Sequence, residues 1–289
     1  MKILVLGCNG QLGRCLNDQL INTEHEVTYT SRKQIDIADF EQTKNQILKI
    51  SPDLIINATA YTAVDKAEED QKTANLINHL AVKNIADICN QLECWLIHVS
   101  TDYVFDGNSN VPYEEDDQTN PQGAYGETKL KGELAILASA CKHIIIRTAW
   151  VFSEYGNNFL KTMLRLGAER DELSIVGDQI GCPTYAQDIA RSIVEIVPQL
   201  HSQKDNGIYH YCGDQPCSWY DFANAIFDQV TNNLKIPSIV NSIETTAYPT
   251  PAKRPAFSVL HCSKIENDYG VYASNWHEGI KQVIRKLKI

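Results

Sequence analysis

The sequence lacks any long hydrophobic run. No stretch of its 289 residues approaches the ~18 consecutive apolar residues that a helix needs to cross a bilayer. The apolar run at the start, ILVL, is shorter than the core of a secretory signal and ends at a glycine turn. We therefore expect a cytoplasmic protein that does not associate with membranes.

An excess of positive charge is also missing. The chain has 26 Lys and Arg against 36 Asp and Glu, so its formal net charge at pH 7 is −10. Nucleic acids and anionic membranes select basic surfaces, so we expect neither as a partner. A local basic pocket for an anionic small molecule is compatible with this composition.

The spacings typical of metal ligands are absent as well. The nine cysteines include no C-x-x-C motif. The pairs Cys89/Cys94 and Cys212/Cys217 do not match common zinc spacings, and no histidine pair lies nearby. We expect reduced, mostly buried thiols and no metal site.

Short apolar, β-rich segments alternate with helical patterns along the first half of the chain. Nearly continuous apolar strands separated by helices are typical of a parallel sheet buried on both faces. Right-handed crossovers then predict a doubly wound, Rossmann-like α/β fold. The predicted strands are Ile3–Leu6, Val27–Thr30, Leu54–Ile56, Trp95–Val99 and Ile144–Ile146, and the predicted helices are Gln11–Leu20, Phe40–Ile50 and 71–92.

The regular alternation of apolar strands and helices becomes less clear after about residue 150. Glycine and asparagine cluster there, before a helix predicted over 158–168. We predict a dinucleotide-binding Rossmann domain over 1–150 and a smaller C-terminal α/β substrate-binding lobe over about 151–171 and 213–289. Parts of about 172–212 are predicted to return to the first domain. The segments considered for this return are Ile175–Val176, 188–197 and Ile208–Tyr209.

Three glycines lie between the first strand and the first helix, in the pattern G-x-x-G-x-x-G (Gly7, Gly10, Gly13). Glycines at such a turn let a pyrophosphate approach the backbone and the free N–H groups of a helix N-terminus. The second strand ends in Ser31-Arg32-Lys33 without a carboxylate. Two cations at this position favour the 2′-phosphate of NADP(H), with NAD(H) as the alternative.

A tyrosine and a lysine stand four residues apart at Tyr125 and Lys129, so they share one helix face. A nearby ammonium lowers the pKa of a phenol from about 10 towards the working pH. Such a tyrosine can exchange a proton with a hydroxyl or a carbonyl oxygen. Thr101, at the end of the fourth strand, adds a hydroxyl to this set.

With these motifs the chain resembles the extended short-chain dehydrogenases/reductases, and within them the dTDP-4-dehydrorhamnose reductase family. The resemblance is nearly full-length. The glycine turn and Y-x-x-x-K mark only the superfamily. The more specific stretches are TAYTAVDKAE (59–68), STDYVF (100–105) and AYPTPAKRP (247–255).

The resemblance implies reduction of the C4 ketone of dTDP-4-dehydro-L-rhamnose to dTDP-L-rhamnose with NADPH or NADH, the last step of dTDP-L-rhamnose biosynthesis. Tyr125 would protonate the C4 oxygen and Thr101 would hydrogen-bond it. Lys129 would hold the nicotinamide ribose and depress the pKa of Tyr125. The predicted cofactor contacts are Gly7, Gly10, Gln11, Leu12, Gly13, Ser31, Arg32, Asp36, Ile37, Ala60, Tyr61, Thr62, Val99, Tyr125 and Lys129, and the predicted substrate contacts are Thr101, Asp102, Trp150 and Arg254.

Two positions depart from the family's pattern. Cys15 stands where some members carry a glutamate implicated in a magnesium-bridged dimer, so we expect no magnesium, and a monomer or a homodimer. Thr59 replaces the usual alanine, a change that should be tolerated.

Other functions on this fold remain open as alternatives. Tyr103 occupies the position where a related dehydratase would need an acid, which favours a plain ketone reductase. Another nucleotide-sugar 4-ketoreductase is one alternative. A non-catalytic, NADP-binding regulatory subunit is the second, and the presence of Thr101, Tyr125 and Lys129 together favours an enzyme over it.

Overall fold

A six-stranded parallel sheet forms the centre of the protein. The computed structural model describes residues 1–200, 206–230 and 234–289. The strands are β1 (Lys2–Leu6), β2 (Glu26–Thr30), β3 (Leu54–Asn57), β4 (Trp95–Thr101), β5 (Lys142–Thr148), β6 (Val151–Phe152), β7 (Glu172–Val176), β8 (Ile180–Gly181), β9 (Thr184–Tyr185), β10 (Gly207–His210), β11 (Cys217–Ser218) and β12 (Ile239–Ile243). In the main sheet they are ordered β10-β5-β4-β3-β1-β2.

The main strands are apolar at successive positions because both faces of the sheet are covered. Ile3 and Val5 of β1 pack into one hydrophobic cluster, and Leu4 and Leu6 pack into a second cluster on the opposite face. All five predicted strands lie in this sheet, and the doubly wound α/β fold is confirmed.

The predicted helices are confirmed, although 71–92 contains a π-helical turn at Leu76–Leu80. Helices α1 and α8 pack into the first cluster, and α2, α5 and α6 pack into the second. The helices are α1 (Gln11–Leu20), α2 (Phe40–Ile50), α3 (Val64–Glu69), α4 (Gln71–Asn75), α5 (Ala81–Leu92), α6 (Ala124–Ala138), α7 (Phe159–Glu169), α8 (Ala186–Ile196), α9 (Trp219–Phe227), α10 (Ser263–Tyr269) and α11 (Trp276–Leu287). Within the described residues, none of the helices is both long and apolar enough to cross a bilayer.

The segment 172–212 is divided between two parts of the protein. Strand β10 pairs with β5, and α8 packs on α1 beside the main sheet. Strand β7 instead pairs with β12 in a separate two-stranded sheet, so Ile175–Val176 does not return to the main sheet. Residues 201–205 of this segment lie outside the described residues. The proposed domain boundaries stay a prediction.

The C-terminal part has its own core, which is rich in aromatic side chains. Phe152, Tyr185, Phe222 and Trp276 are all buried in one cluster together with apolar side chains of α7, α9 and α11. Three two-stranded sheets, β6–β9, β7–β12 and β8–β11, frame this cluster. Such a lobe can cover one edge of the main sheet and close a ligand site there.

The order of the main sheet reverses between β1 and β3, since β2 lies on one side of β1 while β3, β4 and β5 follow on the other. In open α/β sheets, ligands bind beyond the carboxyl ends of the strands at such a switch point. This edge of the sheet is therefore the expected position of the site.

Candidate active site

Two adjoining clefts lie at the carboxyl edge of the sheet. The first has a volume of about 580 Å³ and extends from the glycine turn to Trp219 and Arg254. The second has a volume of about 430 Å³ and lies over the end of β2. Both are lined by Gly10 and Ala60, so one extended ligand can occupy them together.

At the glycine turn, backbone without side chains lies where the two clefts meet. Gly7 has a φ of +85°, a conformation that glycine adopts without strain. A Cβ on Gly13 would overlap the carbonyl oxygen of Gly7, which explains the third glycine. Gly10 is the N-cap of α1 and provides no side-chain hydrogen bond to it. The first N–H groups of α1 are therefore available to an anion, and the turn fits a pyrophosphate.

The second cleft is lined by the predicted adenosine-side residues Ser31, Arg32, Asp36 and Ile37. The Nε of Arg32 lies 3.2 Å from Oδ2 of Asp36, and the Arg32 side chain is 81% exposed. The guanidinium thus stands at the rim of the cleft and is held there by a neighbouring carboxylate. A rim cation of this kind can bind a phosphate while it remains in water.

Thr101 and Asp102 lie together at the end of β4. The Oγ1 of Thr101 donates a hydrogen bond to Oδ1 of Asp102 over 2.9 Å. Burial raises the pKa of the Asp102 carboxyl to about 6, against the neighbouring hydroxyls of Ser258 and Thr101, and its buried Oδ2 forms no close hydrogen bond within the described residues. A buried oxygen without a partner is costly unless a ligand satisfies it, and Asp102 lines the first cleft.

Tyr125 stands in the first turn of α6 and lines the first cleft beside Thr101. Its ring packs edge-on against Tyr103, with the ring centroids 5.4 Å apart and the planes at 77°. Burial raises the pKa of Tyr125 above its ordinary value, and the neighbouring Thr101 hydroxyl opposes this rise. The phenol therefore keeps its proton at neutral pH.

The expectation that Lys129 depresses the pKa of Tyr125 stays a prediction, since burial is the main cause of the raised pKa of Tyr125 in this structure. Lys129 is 2% exposed, and its Nζ donates a hydrogen bond to the carbonyl oxygen of Val99 over 2.7 Å. The same atom lies 3.2 Å from Nε2 of His98. Burial lowers the pKa of Lys129 itself to about 8, against the opposing charge of Glu133. The Lys129 amine therefore contacts β4, and a pKa of about 8 still leaves it mostly protonated at neutral pH.

Trp150 and Arg254 line the first cleft from the side of the C-terminal lobe. The Trp150 ring stacks on Trp219, with centroids 3.5 Å apart and planes at 8°. Arg254 donates from Nη1 to the Tyr103 hydroxyl over 2.9 Å and from Nη2 to Oδ2 of Asp65 over 2.6 Å. These contacts fix a flat apolar surface and a cation on the cleft wall.

The predicted site residues come together at the two clefts, with one exception. Gly13 lies beneath the glycine turn and packs against it, so it shapes the turn and does not line a cleft. Cys15, at the position of the family's glutamate, is fully buried in the core of α1. The remaining predicted residues line the first cleft, the second or both.

Sequence reasoning missed several residues of the site. Thr148, whose buried Oγ1 has no partner among the described residues, ends β5 beside Thr101 and lines the first cleft. Trp219 and Asn158 also line it from α9 and the start of α7. Thr148 could have been found, because it follows a predicted strand at the same sheet edge. Trp219 could not, because only the folded lobe brings it to Trp150.

Asn78 was also missed, and it supports the loop that lines both clefts. It lies in the π-helical turn, where its Oδ1 accepts from the N–H of Tyr61 over 2.8 Å and its Nδ2 donates to the Tyr61 carbonyl over 3.1 Å. Nδ2 also approaches Oγ1 of Thr128 at 3.2 Å. A π-helical turn often marks a functional site, and here it fixes the predicted ribose loop.

Comparisons with known proteins agree with this arrangement. A family model described as "RmlD substrate binding domain" matches residues 1–289. The dTDP-4-dehydrorhamnose reductase of Aggregatibacter actinomycetemcomitans is 42% identical, over 98% of each chain. A solved dTDP-4-dehydrorhamnose reductase from Clostridium acetobutylicum superimposes with a TM-score of 0.93 at 40% identity, covering 100% of both chains. The Bacillus anthracis enzyme, solved in complex with NADP, gives a TM-score of 0.90 at 35% identity, covering 99% of this chain and 100% of its own.

Proposed function

The chain belongs to the RmlD substrate-binding-domain family, and from that premise we propose that it reduces the C4 ketone of dTDP-4-dehydro-L-rhamnose to dTDP-L-rhamnose. Relatives that are 40–42% identical over nearly the whole chain carry the name of this reductase. One observation within the molecule supports the proposal most. Thr101, Tyr125 and Lys129 line one cleft that also contains a turn suited to a dinucleotide pyrophosphate.

Tyr125 is the general acid in this proposal. When bound, the nicotinamide group supplies the hydride. Tyr125 supplies the proton that the C4 oxygen needs, and its raised pKa keeps that proton in place until the oxygen gains charge. In this structure the Thr101 hydroxyl donates to Asp102, so it would turn its single proton from that carboxylate to the C4 oxygen when it hydrogen-bonds the substrate.

The sugar nucleotide would be held by groups along the wall of the first cleft. The unpartnered Oδ2 of Asp102 can accept a hydrogen bond from a sugar hydroxyl. The Arg254 guanidinium, oriented by Asp65 and Tyr103, would face the pyrophosphate of the substrate. The stacked pair Trp150 and Trp219 offers a flat surface to the sugar or base.

NADPH is the proposed cofactor, with NADH as the alternative. The solved Bacillus anthracis relative contains NADP. In this chain Ser31 and the rim cation Arg32 line the second cleft, and Arg32 would contact the 2′-phosphate. Lys129 would hold the nicotinamide ribose, since this residue lines the first cleft.

The wider organisation follows the same proposal. Residues 1–150, with β10 and α8, would bind the cofactor, and about 151–171 with 213–289 would bind the sugar nucleotide. A cytoplasmic monomer or homodimer that needs no magnesium is the assembly we propose. Cys15 supports the last point, since its buried thiol offers no carboxylate to a magnesium ion.

The decisive experiment follows NADPH absorbance with dTDP-4-dehydro-L-rhamnose and identifies the product. Oxidation of NADPH with formation of dTDP-L-rhamnose would support the proposal. Turnover only with a different nucleotide-4-ketosugar would assign the chain to another 4-ketoreductase. NADPH binding without turnover of any ketosugar would favour the non-catalytic regulatory subunit and overturn the proposal.

A further inference from the structure

A short loop of the C-terminal part lies against the helix that follows the glycine turn. This loop, residues 153–158, joins β6 to α7 and covers the face of α1 formed by Gln11, Arg14 and Asp18, which stand three and four residues apart. The Tyr155 hydroxyl donates to Oδ2 of Asp18 over 2.9 Å, and the Arg14 guanidinium lies 5.4 Å from the centroid of the Tyr155 ring. The loop is therefore fixed on α1.

Gln11 is the residue of this face nearest to the turn. It begins α1 directly after Gly10 and lines the first cleft. Its Oε1 accepts from Oγ of Ser153 and from Nδ2 of Asn158, both over 2.8 Å. Gly156, with a φ of +60°, packs on the same side chain, because a Cβ there would lie only 3.1 Å from Cγ of Gln11. The loop thus holds one side of the Gln11 amide.

The donor and acceptor ends of the Asn158 amide are fixed by its own neighbours. Its Oδ1 accepts from the backbone N–H of Lys161 over 3.1 Å and caps α7. Its Nδ2 lies 2.7 Å from the carbonyl oxygen of Ser153. A backbone N–H only donates and a carbonyl oxygen only accepts, so reversal of the amide would break both bonds. Asn158 therefore presents a donor to Gln11.

That donor decides which end of the Gln11 amide is left for a ligand. The atom facing Nδ2 of Asn158 must accept, so it is Oε1, and Nε2 with its two N–H groups is the other end. Within the described parts of the chain, no residue accepts a hydrogen bond from this Nε2. We propose that Asn158 is a positioning residue that keeps the donor end of Gln11 turned to the pyrophosphate of the cofactor at the glycine turn.

The inference rests on the proposed cofactor and adds a side-chain donor to the backbone contacts of the turn. The pyrophosphate of a dinucleotide carries no proton near neutral pH, so it accepts hydrogen bonds and repels a carbonyl oxygen. An amide already held with Nε2 towards the phosphate needs no reorganisation when the cofactor binds, which favours binding. The Asn158 side chain uses its acceptor on Lys161 and its donors on Gln11 and Ser153, so it acts on the cofactor through Gln11.

This effect crosses between the two parts of the protein. Asn158 caps α7, whose Leu160, Met163 and Leu164 pack into the core of the C-terminal part, whereas Gln11 begins the first helix of the main sheet. The affinity for the cofactor then depends on a residue of the lobe proposed to bind the sugar nucleotide.

The first test is a crystal structure of the full chain with NADP+. We expect Nε2 of Gln11 within hydrogen-bonding distance of a pyrophosphate oxygen, with Oε1 still bonded to Asn158 and Ser153. A pyrophosphate held by backbone N–H groups alone, with Gln11 turned away from it, would overturn the inference. This result does not depend on turnover, so it stays separate from the assay of the proposed reduction.

The second test is a double-mutant cycle on NADPH affinity, measured by titration calorimetry. Asn158→Ser and Asn158→Asp both keep an oxygen that can cap α7. The first removes the donor, and NADPH binding should weaken by about 2- to 10-fold because the freed Gln11 amide must be ordered on binding. The second places a carboxylate against Oε1, so the Gln11 amide turns and offers an oxygen to the phosphate. We expect this variant to bind NADPH about 10- to 100-fold more weakly, the strength of one hydrogen bond to a charged group.

Gln11→Ala removes the amide through which Asn158 acts. In that background Asn158→Ser should change the NADPH Kd by less than about twofold, and Asn158→Asp should lose most of its effect. The control is Asn157→Asp, which adds the same charge to the same cleft at a residue that is not a partner of the Gln11 amide. The effect of this control should be equal with and without Gln11.

Equal losses for Asn158→Asp with and without Gln11 would show that Asn158 acts by its charge or on the fold, and would overturn the inference. A loss of dTDP affinity in place of NADPH affinity would also overturn it, because the phosphate would then belong to the sugar nucleotide. Urea unfolding shows whether each variant is folded, and the uncharged Asn158→Ser decides the cycle if Asn158→Asp does not fold. The expected pattern of NADPH binding without turnover of any ketosugar would count against the proposed reduction alone.

Discussion

Replacement of Tyr125 by phenylalanine removes one hydroxyl and leaves the rest of the cleft in place. The ring keeps its edge-on contact with Tyr103 at 5.4 Å, so stability and NADPH affinity should change little. Only the proton donor is lost. General-acid groups contribute about 10²- to 10⁴-fold to rate, which corresponds to about 3–5.5 kcal/mol of transition-state stabilisation. We expect kcat to fall within that range.

Single-turnover kinetics of Tyr125→Phe with saturating NADPH measure this loss without interference from product release. Titration calorimetry should give an NADPH Kd within about twofold of the wild type. The control is Tyr113→Phe, because the Tyr113 hydroxyl is bonded to Asp106 and to the N–H of Ser109, outside both clefts. An unchanged kcat in Tyr125→Phe, or an equal fall in the control, would refute the assignment of the general acid.

Three further predictions concern the cleft wall, the buried carboxyl and the cofactor rim. Arg254→Ala should raise the KM for the dTDP-sugar by about 10- to 100-fold, because it removes hydrogen bonds to a charged group. Lys253 is an exposed neighbour bonded to Gln122, and Lys253→Ala should leave this KM unchanged. Equal effects of the two variants in steady-state kinetics would contradict the role of Arg254. Asp102 has its pKa raised from 3.8 to about 6, so its ionisation costs the folded state up to about 3 kcal/mol as pH rises from 4 to 7. The free energy of unfolding in urea should therefore be higher for Asp102→Asn than for the wild type at pH 7, but not at pH 4. An equal difference between the two proteins at both pH values would show that burial of the charge is not the cause. Arg32→Ala should weaken NADPH binding more than NADH binding in titration calorimetry. Lys33, the other cation of this loop, does not line the second cleft, so Lys33→Ala should change the binding of both cofactors alike. Parallel losses for both cofactors in Arg32→Ala would contradict a 2′-phosphate contact.

The sequence predicted the parts of the fold that depend on local pattern. Continuous apolar runs such as Leu54–Ile56 became buried parallel strands, because both faces of the sheet are covered by helices. The carboxyl ends of those strands lie at one edge by topology alone, so the sequence pattern already places Thr101 and the glycine turn close together. The division of 172–212 was harder to predict, because β7 and β10 are both short apolar runs and only their partners differ.

Contacts between segments far apart in the chain could not be predicted from the sequence pattern. Asp65 and Arg254 are separated by 189 positions and meet only when the C-terminal lobe closes over the sheet edge. The stacking of Trp150 on Trp219 likewise joins the start of β6 to α9. Neither pair has a spacing that distinguishes it from unrelated surface residues. The resemblance to a family identified Arg254 and Trp150, but it did not supply the groups that orient them.

The pair Tyr125 and Lys129 illustrates why spacing alone does not determine electrostatics. Four residues apart on α6, the two side chains share a face, and in water the ammonium would stabilise the phenolate. Both side chains are instead held in a poorly solvated cleft, where burial disfavours the charged form of each: it raises the pKa of the phenol and lowers that of the amine. The amine is also directed to Val99 and His98. The same spacing therefore gives a tyrosine that keeps its proton at neutral pH and a lysine whose pKa lies closer to neutrality than that of a lysine in water.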